Sequence, residues 1–308
     1  MIFQTFLTSL SQFYWSPWFW LPENVKWAQL NPQSGKRFAN VSDVYAAIIS
    51  AVSLLAIRFF LERLLCKPIG SFLGITEAHK KLTKFSECGW RFVYYTVSAT
   101  IGICVLWDKP WIWDVKEIWR GAPLQTLPSD VWWYCWICAG YYLGCLITVF
   151  TDVKKKDFRV MLGHHIVTLV IMHLMWLTNL TRIGATFLIL HDVSDPFLEF
   201  AKICNYARYP KMATRVFVLY VLIWIATRLV WYVVLLYSML FQASTLMPLS
   251  PAFYVIVFVA MTLFGIHLYW TNLLWKIARQ SSNDEVRDDR SSDEEDDDEG
   301  NGSEEKDD

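Results

Sequence analysis

The sequence predicts an all-α membrane protein with about seven transmembrane helices. Three observations predict it. Of the 308 residues, 55% are hydrophobic and 17% aromatic, with 17 tryptophans, too apolar a mixture for an ordinary soluble domain. Seven segments, 43–61, 90–107, 131–150, 160–177, 183–201, 213–240 and 252–275, approach the roughly 20 apolar residues that a span needs. Lysine and arginine recur in alternate connections, as the positive-inside rule requires.

Residues 1–42 contain "FYWSPWFWLPENVKWAQL". Tryptophans favour the membrane–water interface, so this stretch is expected to form an interfacial luminal segment. Asn40-Val41-Ser42 and Asn179-Leu180-Thr181 match the glycosylation pattern, each hard against a span. The first span, 43–61, leads into a basic loop, 62–89, carrying Arg63, Lys67, Lys80, Lys81 and Lys84. Loop 151–159 carries Lys154, Lys155, Lys156 and Arg159, and loop 202–212 carries Lys202, Arg208 and Lys211. Lys276 and Arg279 follow the last span, whereas 241–251 has no charge. This alternation predicts a luminal N-terminus and a cytosolic C-terminus. It also requires 183–201 to cross, although that segment is the least apolar.

Residues 281–308 hold 15 acidic and 3 basic residues, a balance of −12, which leaves +11 on residues 1–280. The tail cannot bury apolar surface and is expected to be a disordered cytosolic segment, with serines placed for acidophilic phosphorylation. The basic loops are explained by topology and anionic lipid heads, and no nucleic-acid module is visible. Cys135 and Cys138 form a CxxC inside an apolar run with no second pair, so they read as small hydrophobes. No cleavable signal peptide is visible at the N-terminus.

The chemistry concentrates in two places. "HDVSDPFLEFAK" puts His191, Asp192, Asp195 and Glu199 at three- and four-residue spacings, one stripe of a continuous helix, with Lys202 in reach of Glu199. Pro196 removes one backbone hydrogen bond and predicts a kink. Ionisable groups at membrane depth must face a cavity or one another, which makes them site candidates; the bland alternative is polar glue between helices. "LGHHIVTLVIMHLMW" puts His164 and His165 about one turn inside the cytosolic start of the fourth span, 160–177. Neighbouring residues point about 100° apart, so one ring carries the chemistry while the other orients or packs. His173 and His267 read as packing residues. Metal is not expected, because an i, i+1 pair is awkward for one ion and no repeated histidine boxes occur. The lysines 154–156 could attract a polyanionic donor.

The run from Asp152 to Arg208, with "TDVKKKDF", "HH", "RIG" and "HDVSDPFLEFAKICNYAR", resembles the Lag1 motif of the ceramide synthases. "WLPENVKWAQL", "SECGWRFVYYTVSATIGICVLWDKPWIWD" and the acidic tail are similar to the animal members, so the resemblance covers most of the chain. It implies a TLC domain, here 90–280, of six spans around a central cavity, preceded by one extra span. It implies transfer of a fatty acyl group from acyl-CoA to the amine of a sphingoid base in the endoplasmic reticulum membrane, with acyl-CoA a co-substrate and no cofactor. A homo- or hetero-dimer and membrane lipids are the implied partners. The last luminal loop, "FQASTLMPLSP", is implied as a determinant of acyl length. The Hox-like segment of many animal members is missing, since 62–89 is too short for it.

The implied site contains His164, His165, His191, Asp192 and Asp195 as catalytic residues. Lys154, Lys155, Lys156, Arg159 and Glu199 are expected to bind substrate. A thioester must pass its acyl group to an amine that is protonated at neutral pH, so a base and an oxyanion partner are needed. A histidine can carry the acyl group covalently; the resemblance supports His164, with His165 second. A desolvated carboxylate, Asp195 or Asp192, would accept the proton, with His191 orienting it or sharing in the transfer. Three rival readings fit less well. A fatty-acid elongase uses HxxHH, but Met161 stands three before His164. A non-catalytic TLC relative, lipid-sensing or translocon-associated, would lack the paired histidines with HDxxD. A proton-coupled transporter would show inverted repeats, and none is visible.

Overall fold

The computed structural model describes residues 5, 9, 11–12, 14–31, 35–154 and 156–280, the side chains of His79 and Gln280 aside. Lys155 and the acidic stretch 281–308 lie outside the described residues. Among the described residues the chain is helical, with no strand. Helix α1, Val44–Leu61, runs on through a π-helical turn to Phe72. Then come α2, Lys81–Leu106, α3, Ser129–Thr148, and α4, Phe158–Leu177. Two short helices follow, α5, Thr181–Asp192, and α6, Asp195–Tyr206. Helix α7 begins at Pro210 and continues past Trp224, through two π-helical stretches, to Leu246. Helix α8, Pro251–Gln280, closes the bundle.

Five helical segments are both long and apolar enough to cross a membrane, Val41–Phe72, α3, α4, Pro210–Leu246 and Pro251–Arg279, so this is a multi-pass membrane protein. The other two expected spans fall on α2 and on the pair α5–α6. Helix α2 has the length, about 39 Å at 1.5 Å per residue. Its first turns are charged, and Lys84 and Glu87 are buried there. At the kink predicted near Pro196 the helix is interrupted at residues 193–194, which keep right-handed helical backbone angles. Neither α5 nor α6, each about 18 Å long, could cross the roughly 30 Å core alone. The ring of Pro196 sits in the first turn of α6, where no N–H is needed, and Phe197 N bonds back to Ser194 O in a tight turn.

One end of the bundle is fixed by ion pairs. Arg58 of α1 reaches Asp152, after α3, at 2.6 Å; Arg91 of α2 reaches Glu199 of α6 at 3.3 Å. These contacts bring the basic loops following α1, α3 and α6 to the same end. The opposite end is closed by the Trp-rich N-terminal segment, whose Trp20, Leu21, Leu30 and Phe38 are buried in the main core. Asn179 knits that end together. Its Oδ1 accepts from Ala39 N at 3.0 Å, and its Nδ2 donates to the carbonyls of Pro123 and Gln125. Asn179 is wholly buried with φ of 53°, a left-handed residue that ends α4, so its amide is structural and closed to glycosylation. Asn40 spends its Oδ1 capping the turn at Val41, bonding Ser42 N.

Helix α1 packs along α3 through small residues. A Cβ added at Gly140 would stand 2.4 Å from Ser50 Cβ and 2.7 Å from the backbone nitrogen of Ala51. In lipid, helices gain by such close backbone approach, since no hydrophobic force separates a helix face from acyl chains. Gly140→Leu is therefore expected to pry α1 off α3 and to cost about 1–3 kcal/mol or more. The check is the thermal midpoint of the purified protein in detergent, which should fall while Gly163→Ala, with open space at its Cβ, leaves it nearly unchanged.

Candidate active site

A cavity with an empty volume of about 1380 Å³, its open mouth included, enters the bundle from the basic end. Arg58, Asp152, Lys154 and Lys202 line it near that end, and His191 and Arg228 line it deeper, among Tyr142, Tyr220, Trp224 and Trp270. The wall is built by α2, α3, α4, α6, α7 and α8, with α1 contributing Arg58 and α5 contributing His191.

Of the residues singled out in the sequence, His164, His165, His191, Asp195, Glu199 and Lys154 all line this one cavity. Both adjacent histidines reach it. Their rings lie 5.5 Å apart, because a 100° step still leaves both on the half of α4 that borders the cavity. The His164 ring meets the edge of Trp270 at 5.0 Å, and Nδ1 of each histidine is buried with no hydrogen-bond partner among the described residues. Lys156 and Arg159 are exposed at the same end and are not part of the wall.

Asp192 departs from the expected stripe. It does not share the cavity-lining face of Asp195, although only the interruption at residues 193–194 stands between them. Asp192 is wholly buried behind the wall, between α2 and α3. It accepts from Ser98 Oγ at 2.5 Å and from Tyr142 OH at 2.8 Å, with Cys138 Sγ at 3.8 Å. Asp195 instead faces α7 and pairs with Arg228 at 3.0 Å.

Arg228 is the residue that sequence reading missed most. It is 3% exposed, in a π-helical stretch of α7. The extra residue per turn in such a stretch re-aims side chains, which is why these bulges favour functional positions. Its Nη2 also donates to the carbonyl of His191 at 2.5 Å, a group left open by the helix break, and its guanidinium lies 4.7 Å from the Trp224 ring. One guanidinium thus ties the end of α5 to the start of α6.

His267 was read as a packing residue, yet its Nε2 lies 3.1 Å from His191 Nε2. His191 Nδ1 lies 2.6 Å from the carbonyl of Phe187 and must carry a proton to bond it. In the neutral ring His191 Nε2 then accepts, and His267 Nε2 donates. Among the described residues the partner of His191 Nε2 is another imidazole and not a carboxylate. His173 lies elsewhere, bonded to Tyr14 at 2.7 Å. Near the mouth Glu199 pairs with Lys202 at 2.8 Å as the spacing predicts, and with Arg91, which the sequence did not single out.

A TLC-domain family model matches residues 84–276. The chain is similar to the ceramide synthase hyl-1 of Caenorhabditis elegans, 32% identical over 91% of this chain and 83% of that one. It is 29% identical to the ceramide synthase hyl-2 of the same nematode, over 89% of this chain and 92% of the relative. Human ceramide synthase 5 is 29% identical over 90% of this chain and 85% of its own length. The chain belongs to the ceramide synthase family of TLC-domain membrane proteins.

Proposed function

We propose that this protein is an N-acyltransferase of the endoplasmic reticulum membrane, making ceramide or dihydroceramide from acyl-CoA and a sphingoid base. The observation that carries the reading is the single cavity that gathers His164, His165, Asp195 and Arg228 and enters from the basic end. The basic end faces the cytosol, and the end closed by the Trp-rich segment faces the lumen. Acyl-CoA reaches the mouth among Arg58, Lys154 and Lys202, where positive charge draws a polyanion.

In this reading the His164 imidazole attacks the thioester carbonyl, the C–S bond breaks, and the departing thiolate takes the proton released from the imidazole N–H to leave as free CoA. Oxygen charge that develops at the carbonyl is met by the Arg228 guanidinium. The ammonium first gives one proton through Asp195 to water. The free amine then attacks the acyl-imidazole, the C–N amide bond forms, the bond from the acyl carbon to the imidazole nitrogen breaks, and the amine's second proton passes to the departing imidazole, which restores neutral His164. Apolar walls keep water from the acyl-enzyme, which it would otherwise hydrolyse. No bound cofactor takes part; acyl-CoA is consumed.

The test is N-acylation of sphinganine by the purified protein with a panel of acyl-CoA chain lengths. Amide product with at least one chain length supports the reading. A folded protein that makes none with any chain length overturns it in favour of a non-catalytic TLC protein.

A further inference from the structure

We infer that Tyr142 is the contact that receives the amino group of the acceptor substrate, and that Asp192 is the positioning residue that holds Tyr142 to this task. The inference rests on the N-acyltransferase reading and names the part of the cavity that takes the amine. Tyr142 is buried on α3 and lines the cavity beside Tyr95 and Tyr141. Its one hydroxyl proton is given to Asp192 Oδ1 at 2.8 Å. The phenol oxygen can therefore meet a ligand only as an acceptor.

What stands behind that oxygen sets the ligand's charge. Three carboxylates of the wall are matched by cations: Asp195 by Arg228 at 3.0 Å, Glu199 by Lys202 at 2.8 Å, Asp152 by Arg58 at 2.6 Å. Asp192 has no ion pair among the described residues. It is held by hydroxyl and thiol donors alone, from Ser98, Tyr142 and Cys138. Such donors satisfy the carboxylate oxygens without supplying a positive charge. At the depth of Arg228 the protein thus places two carboxylates against one guanidinium. An unmatched negative charge in a membrane interior is costly. A cation seated against Tyr142 relieves it.

The complement is a primary ammonium. It brings three N–H donors, one for the Tyr142 oxygen, and a positive charge for Asp192 behind it. The aromatic side chains of Tyr95 and Tyr141 line the same wall. A long-chain alcohol of equal length offers a weaker donor and no charge. The geometry therefore separates the acceptor amine from other single-chain lipids before any bond is made.

The test uses the full chain, purified in detergent, and reads thermal stabilisation by sphinganine, by 1-octadecanol and by acyl-CoA. The wild-type protein should be stabilised by sphinganine and not by octadecanol. Tyr142→Phe should lose the sphinganine response and keep the acyl-CoA response. In turnover its KM for sphinganine should rise about 10-fold or more, the worth of a hydrogen bond to a charged group, with KM for acyl-CoA within about 2-fold. If Tyr142→Phe does not fold, Asp192→Asn decides, since it keeps an acceptor for Tyr142 but removes the charge; its sphinganine response should shrink. A sphinganine response unchanged in whichever variant folds overturns this inference alone. A wild-type protein that responds to acyl-CoA and not to sphinganine overturns the sphingoid-base reading beneath it.

Discussion

Arg228→Gln is expected to lower the stability of the folded protein by about 3–5 kcal/mol and to abolish N-acylation. The guanidinium is 3% exposed and serves the Asp195 carboxylate and the His191 carbonyl at once. Glutamine leaves a half-buried carboxylate without its cation and opens the joint between α5 and α6. The stability loss and the activity loss have different origins, and a second substitution separates them. Arg228→Gln combined with Asp195→Asn removes both charges, so most of the stability should return. Activity should not, because the oxyanion partner and the proton acceptor are then both missing. Arg228→Lys should keep partial stability with low activity, since an ammonium cannot span the two acceptors as a planar guanidinium does. Thermal unfolding in detergent beside acyl transfer checks each arm. A double variant as active as the wild type would remove Arg228 and Asp195 from the chemistry.

Much of this site was legible because charge is rare at membrane depth. His164, His165, His191, Asp195 and Glu199 stood out against an apolar background, and all reach one cavity. The Lys202–Glu199 pair followed from helical spacing alone. Three features were not legible, each for a physical reason. Arg228 sits alone in "IATRLVW", and nothing local to it predicts a partner on another helix; its one signal was a solitary cation inside a span. His267 lacks charged neighbours in sequence, and its partner His191 is 76 residues away. Asp192 was placed with Asp195 by periodicity, but a three-residue spacing leaves two side chains about 60° apart, and here the cavity edge falls between them. Pro196 warned of the interruption at residues 193–194 without fixing its size. The fold was legible at the level of helices and their alternation, which hydropathy and Lys/Arg placement set. The close approach of α1 to α3 at Gly140 was not, because a glycine within an apolar run does not say which face needs to be bare.

His164→Ala should reduce N-acylation by about 1000-fold or more, the scale expected when a covalent nucleophile is lost. Stability should change little by comparison, since His164 makes no ion pair among the described residues and its Nδ1 has no hydrogen-bond partner. His165→Ala should be milder, with turnover retained at a reduced rate, because that ring flanks the reacting one 5.5 Å away. The opposite ranking would move the acyl group to His165 and leave the rest of the reaction scheme in place.

The central claim, that an acyl group passes through the paired histidines in this cavity, is tested most directly by intact-protein mass spectrometry. The wild-type protein is mixed with acyl-CoA, without any amine, and quenched. The account predicts one added acyl group, mapped to His164, lost on adding sphinganine and not formed by His164→Ala. Unmodified protein at every time, from a preparation that does make the amide when sphinganine is present, would contradict it and leave direct transfer from CoA to the amine.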